Sequence, residues 1–303
     1  MPLTSPHSPS RDDLKDYSAL AFCSVVWGTT WFAIKFQLGH VDPLASIVYR
    51  FALSSAVLLG FLTLSGHPPR LSRRQHLLAA AQGLPLFAGS YAFVYSAEAL
   101  IPSAVVAVIF AAFTLTSLIL FRLIFKERPS LGTWGGAWLG VAGVAALSAG
   151  QLMGAKLGAG ALLGLGLAVC SVVCSAFGNV FAHMNQKEGV APAALAGWAM
   201  AYGAAGMALF RLLTGGAWSF DPSPAYVGSL LYLSLFGSVL SFGLYYWLAS
   251  RRGFALASYT SALAPPTAML VSGLFEHVTW GPAAFLGLVL VVAGQLLVIR
   301  TRK

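Results

Sequence analysis

Charge is what this chain has least of. Asp, Glu, Lys and Arg make up 9% of its 303 residues, against about 25% in a soluble domain. A surface so poor in charge cannot hold the chain in water, which excludes one or two soluble domains. Cysteine is scarce too, with Cys23, Cys170 and Cys174 all inside apolar runs. They lack the His or carboxylate neighbours that a metal site takes and read as small apolar filler. No disulfide framework, metal or other cofactor is expected. Enzyme signatures are also missing: no His-Glu-x-x-His, no Walker loop, no Gly-x-Ser-x-Gly. The acidic pair Asp12-Asp13 lies in the amino-terminal tail, no potassium-type filter occurs, and every connection is too short for a nucleotide-hydrolysing domain. A polytopic membrane enzyme and a channel or scaffold are therefore minor alternatives, and no catalytic residue is expected.

What the chain has is apolar length, with 58% of residues hydrophobic. Hydrocarbon about 30 Å thick needs roughly 20 apolar residues per helix. Runs of that kind, bounded by breakers such as Asp42-Pro43, Pro68-Pro69, Pro102, Pro129, Pro192, Pro222 and Pro282, predict spans near 18–38, 44–65, 75–96, 102–122, 131–149, 160–184, 192–213, 225–249, 254–273 and 281–299. None shows the period-two alternation of a barrel strand. Residues 1–17, rich in Pro, Ser and charge, lack the apolar core of a cleavable leader and read as a disordered cytoplasmic tail. Residues 300–303 form a second.

The net charge of +9 does not point to nucleic acid, because the basic residues sit in short loops and form no patch. They read as topology signals facing anionic lipid. With a cytoplasmic amino terminus, fourteen of the eighteen Lys and Arg fall inside, leaving Lys35, Arg50, Lys156 and Arg211 outside. That bias predicts an even number of spans, with both termini cytoplasmic.

The halves also resemble each other. Trp27-Gly28 matches Phe177-Gly178, Pro43 matches Pro192, Tyr95 matches Tyr246, Phe125-Lys126-Glu127 matches Leu274-Phe275-Glu276, and Val141-Ala142-Gly143 matches Val292-Ala293-Gly294. All five offsets lie between 149 and 151. Five helices per unit is an odd number, so the second unit must run upside down. The charges agree: Lys126 and Arg128 are inside, while the counterpart loop Glu276-His277-Val278-Thr279 has no Lys or Arg. Inverted repeats let two halves exchange inward-open and outward-open shapes around a shared site.

The run from Trp27 to Lys35, with Pro43 and Arg50-Phe51, and Pro265, Glu276, Gly281 and Gly287 near the other end, resembles the EamA type of the drug/metabolite transporter superfamily. The resemblance covers the whole chain and is closest to exporters of aromatic and other amino acids. It implies an inner-membrane carrier with a central cavity between its halves. The sequence departs from even repetition where Thr114 and Thr116 stand in the region corresponding to Pro265-Pro266, which weakens the case for a hinge in the fourth helix.

Polar groups inside hydrocarbon are costly and face a cavity or another helix. Ser234, Ser238, Ser241 and Tyr245 form one stripe and Ser175, Asn179, His183 and Gln186 another. Each is either a wall of the path or glue between helices. Asn179 could bind an amine or a carboxylate, and His183 could titrate or simply be solvated. Tyr91 and Tyr95, four residues apart, match the tyrosine pair that the exporter resemblance implies. Their alternative is an interfacial belt. Trp27 and Thr30, with Ser258, Tyr259 and Ser261, complete the candidates. Arg50 reads either as a partner of Glu98 across the outer rim or as a side chain snorkelling to headgroups. Gly132, Gly136 and Gly140 are spaced for close helix contact.

The sequence thus predicts an all-α polytopic protein of the inner membrane. Ten transmembrane helices form two inverted five-helix repeats, 18–149 and 160–299, around a central cavity. The expected partners are a small-molecule substrate and the lipid bilayer, and not nucleic acid; monomer and dimer both stay open. Neutral and aromatic amino acids are the expected substrates. Facilitated diffusion is favoured because no acidic residue sits at a helix centre. Sugars, nucleotide sugars or lipophilic drugs, with proton coupling, are the alternative.

Overall fold

The computed structural model describes residues 11–39, 41–154, 159–277 and 280–300. Residues 1–10 and 301–303, Lys156 and the pair Val278-Thr279 lie outside the described residues, as does the side chain of Ser261. Among the described residues every regular element is helical. The rods are α1 (Arg11–Lys35), α2 (Pro43–Leu64), α3 (Arg73–Glu98), α4 (Ser103–Phe125), α5 (Leu131–Gly154), α6 (Ala159–Lys187), α7 (Pro192–Leu213), α8 (Pro224–Arg252), α9 (Tyr259–Phe275) and α10 (Pro282–Arg300). A single helical turn, Phe254–Ala257, precedes α9. Among the described residues seven of these helices are long and apolar enough to cross a membrane, and Ala264–Phe275 and Pro282–Gly294 are shorter apolar stretches. One boundary differs clearly from expectation: 11–17 are not tail, because α1 begins at Arg11. Its Asp16 carboxylate takes Arg251 Nε at 3.0 Å and Arg252 Nε at 2.5 Å, which gives the first turns a partner on α8.

Local chemistry explains where the rods start and stop. Asp42 caps α2 by accepting from Leu44 N at 2.8 Å, with Pro43 in the first turn, where a missing N–H costs nothing. Ser72 and Gln75 form a capping box at the head of α3, satisfying two orphan donors reciprocally. Gly253, at φ +85°, closes α8. Inside α4 the chain breaks at Ala111-Ala112, where both amides bond to carbonyls three residues back. A break therefore exists there without a proline.

Two segments depart from α geometry. Leu84–Ser90 within α3 and Leu235–Leu240 within α8 are π-helical, a rare conformation that clusters at functional sites. Their starts are 151 residues apart and their ends 150, the same offset that relates the two halves. Ser238 within the second and Ser241 just after it each donate to a carbonyl five residues back, at 2.9 and 2.8 Å. Serine at these positions supplies hydrogen bonds to the widened turn.

Rods consecutive in the chain run antiparallel. The end of α1, the start of α2, the end of α3 and the ends of α7 and α9 meet at one end of the bundle. At the other, the start of α3 meets the end of α6, where Arg74 pairs with Glu188 at 3.0 Å. α2 packs on α7, α5 on α10, α1 on α9 and α4 on α6. The α5–α10 contact is backbone-close: a Cβ on Gly143 would stand 2.5 Å from Gly287 O, and one on Gly294 would stand 2.8 Å from Gly140 N. Without hydrophobic drive between helices in lipid, such close approach is what holds them together.

Candidate functional site

A chamber lies where seven rods converge. Trp27, Thr30, Trp31 and Ile34 come from α1; Arg50 from α2; Leu86, Ser90, Tyr91 and Val94 from α3; and Phe110 and Phe113 from α4. Ser175 and Asn179 come from α6, Phe242 and Tyr245 from α8, and Ala264 from α9 closes the wall. The space open to water centres is about 60 Å³, room for a few waters at roughly 10–15 Å³ each.

Polar contacts on its wall form both within the second half and between the halves. Asn179 Nδ2 donates to Tyr245 Oη at 2.6 Å. Ser90 and Ser175 hydroxyls share a hydrogen bond at 2.7 Å. Trp27 Nε1 donates to Gly237 O at 3.1 Å in the second π segment, and its ring lies 5.5 Å from that of Tyr245.

Arg50 is the charged group of the described lining, and it is 1% exposed. It stands about 10 Å along α2 at 1.5 Å per residue. Nε donates to Ser238 Oγ at 3.1 Å, and Cζ lies 4.7 Å from the Tyr91 ring centroid and 5.1 Å from that of Phe51. Ser54 Oγ, at 2.7 Å, and Ser234 Oγ, at 3.3 Å, both donate to the Arg50 carbonyl. Glycine is required opposite it, because a Cβ on Gly237 would meet Thr30 Cγ2 at 2.7 Å and Arg50 Nη2 at 3.3 Å. Arg50 Nη1 has no hydrogen-bond partner, and neither has Trp31 Nε1.

That geometry corrects both readings of Arg50. It does not snorkel, and no ion pair joins it to Glu98 among the described residues. Glu98 is itself buried, with neither carboxylate oxygen hydrogen-bonded. Lys35 Nζ donates to the Glu98 backbone carbonyl at 2.5 Å and stands 3.9 Å from Glu276 Oε1. Glu276 Oε2 accepts from Ser103 at 2.6 Å and also from Ser272.

Six of the fifteen candidates from sequence meet in the chamber: Trp27, Thr30, Tyr91, Ser175, Asn179 and Tyr245. Of the other nine, Ser261 has its side chain outside the described residues and eight do not line it. Tyr95 is fully buried behind the wall. His183 sits in an aromatic box, 5.1 Å from Phe121, 4.8 Å from Phe125 and 5.5 Å from Phe254. Ser238 supports Arg50, and Ser241 serves its own helix. Ser258 donates to Phe254 O at 2.7 Å, and Tyr259 is buried. Sequence reasoning missed Trp31, Ser90, Phe110, Phe113 and Phe242 as lining. Ser90 falls just before Tyr91, inside the first π segment, so an α-helical wheel turns it away.

The EamA-like transporter family matches the chain twice, over residues 16–149 and 162–300. The chain belongs to the EamA-like transporter family. It is a membrane transporter, and the two matches divide it where the sequence repeat does. An uncharacterized inner membrane transporter of Escherichia coli strain K12, YedA, is 30% identical over 294 residues, covering 95% of this chain and 92% of that one. A probable amino-acid metabolite efflux pump of Salmonella typhimurium is 25% identical over 278 residues, with 89% and 90% covered. An uncharacterized transporter of Archaeoglobus fulgidus is 24% identical over 293 residues, with 95% and 100% covered. A crystal structure at 20% identity superposes with a TM-score of 0.73 over 97% of this chain and 100% of its own, a likeness of fold alone.

Proposed function

We propose that this transporter is an inner-membrane exporter of neutral and aromatic amino acids, working by alternating access between two inverted five-helix halves. The observation that carries the reading is the chamber itself. It is enclosed by rods of both halves, Ser90–Ser175 and Trp27–Gly237 hydrogen bonds join those halves, and no carboxylate lines it among the described residues. The exchange of halves leaves the packing pattern unchanged: α2 on α7 and α5 on α10 map onto themselves, and α1 on α9 maps onto α6 on α4. The matched π segments follow the same exchange. The amino-acid substrate draws on the printed description of the Salmonella relative and the inner-membrane location on that of the E. coli relative.

The charges support the orientation with both termini cytoplasmic. Of the four cations expected on the outer side, two have acidic partners and a third is buried. Lys35 neighbours Glu276, Arg50 lines the chamber, and Arg211 pairs with Asp42. Lys156 is outside the described residues. A positive charge held inside the protein exerts little pull on the choice of side.

A chamber with room for only a few waters must widen to admit a metabolite, so this shape is a closed one. With no acidic group on the wall, transport runs down the substrate gradient. Purified protein in liposomes, offered labelled threonine, methionine, phenylalanine and a sugar separately, tests the reading. Amino-acid uptake is expected; uptake of the sugar alone overturns it.

A further inference from the structure

We infer that Arg50 anchors a carboxylate of the transported solute, making a carboxylate a condition of good transport. The inference rests on the transport reading above. Two donors of the chamber wall lack a partner, Arg50 Nη1 and Trp31 Nε1. A group that satisfies donors alone must be an acceptor, and a carboxylate is acceptor-only, with several lone-pair sites. It is also the planar, singly charged partner that a guanidinium holds best.

Charge balance gives the same answer. A buried cation without a counter-ion is costly by several kcal/mol, and the tyrosine face under Arg50 offsets only part of that. The described lining holds no acid, and the buried Glu98 nearby makes no ion pair with Arg50, so an anion in contact with the guanidinium has to arrive with the solute. Ser238 takes Nε and the Tyr91 ring covers one face of the fork. Those contacts hold the guanidinium and leave the buried Nη1 without a partner. Around it, Trp27, Phe110 and Phe242 offer apolar walls for the remainder of the solute.

Three relatives of one solute test this in liposomes: phenylalanine, phenylalanine amide, which lacks the carboxylate, and 3-phenylpropionate, which lacks the amine. With the wild-type protein, the amide should compete with labelled phenylalanine roughly tenfold to a hundredfold less well than unlabelled phenylalanine, the loss of one charge-assisted contact. The propionate should compete measurably. Arg50→Gln should abolish the preference for phenylalanine over its amide, and Arg50→Lys should retain part of it. Both variants are to be checked for thermal unfolding in detergent. If amide and amino acid compete equally with wild type, the inference fails while the transport reading stands. If Arg50→Gln is slower yet keeps the full preference, Arg50 is structural and the inference fails again. If wild type moves none of the three, the amino-acid reading and this inference fall together.

Discussion

Asn179 on α6 and Tyr245 on α8 are joined by a 2.6 Å hydrogen bond within the chamber wall. The bond fixes the amide and the phenol that a solute would meet on the side formed by the second half. Asn179→Ala and Tyr245→Phe should each reduce transport severalfold while folded protein is recovered in full. Measured through unfolding midpoints, the double variant should lose less than the sum of the two singles, with a coupling of about 1 kcal/mol for a buried neutral pair. Additive losses would show that the two side chains act independently.

The staple between Asp42 and Arg211 predicts a pH dependence. Partial burial pushes the Asp42 carboxyl up, but hydrogen bonding and charge from Arg211, with the Leu44 and Ala45 amides, outweigh it and hold the group below the usual carboxylate value. A depressed folded value stabilises the fold above the unfolded pKa of about 3.9, and that contribution is lost as pH falls through the folded value. Asp42→Asn keeps an N-cap but leaves buried Arg211 without its anion. Because the carboxylate is partly exposed, a loss of about 1 kcal/mol is expected at pH 7. The difference from wild type should shrink below pH 4. A difference constant from pH 7 to pH 3 would contradict the assignment.

Packing of α5 on α10 depends on Gly143, where an added Cβ would strike Gly287 O and Val291 N. Gly143→Leu should therefore prevent recovery of monodisperse protein. Gly60→Ala, with open space around the new methyl, should be tolerated. Comparable yields of the two variants would count against the close contact.

Arg128, after α4, and Ala99, after α3, are both exposed and stand at opposite ends of the bundle in an antiparallel arrangement. In a background with Cys23, Cys170 and Cys174 replaced, an impermeant thiol reagent should label Ala99→Cys on intact cells. Arg128→Cys should react only after the membrane is opened. The reverse pattern would invert the proposed orientation.

The rods were legible because breakers and apolar length mark them: α2, α7 and α9 end within about two residues of their expected limits. The amino-terminal turns of α1 were not, since their stabilising partners, Arg251 and Arg252, lie some 235 residues away. The chamber was half legible. Period-3.6 stripes located Asn179 and Tyr245, but the π segments shift the register, so Ser90 joins the wall and Ser238 and Ser241 do not line it. Arg50 was misread because a single arginine two turns into an apolar helix has the sequence signature of a snorkelling residue. Its counter-evidence, Ser54, Ser234 and Ser238 around it, is spread over two helices.

Exchange across the membrane tests alternating access most directly. Liposomes containing purified transporter and a high internal concentration of unlabelled phenylalanine are diluted into trace labelled phenylalanine. A carrier that carries solute across in alternating shapes should accumulate label transiently above its equilibrium level, and Arg50→Gln should diminish that overshoot. Label that merely equilibrates, at a rate independent of the internal amino acid, would contradict the carrier account.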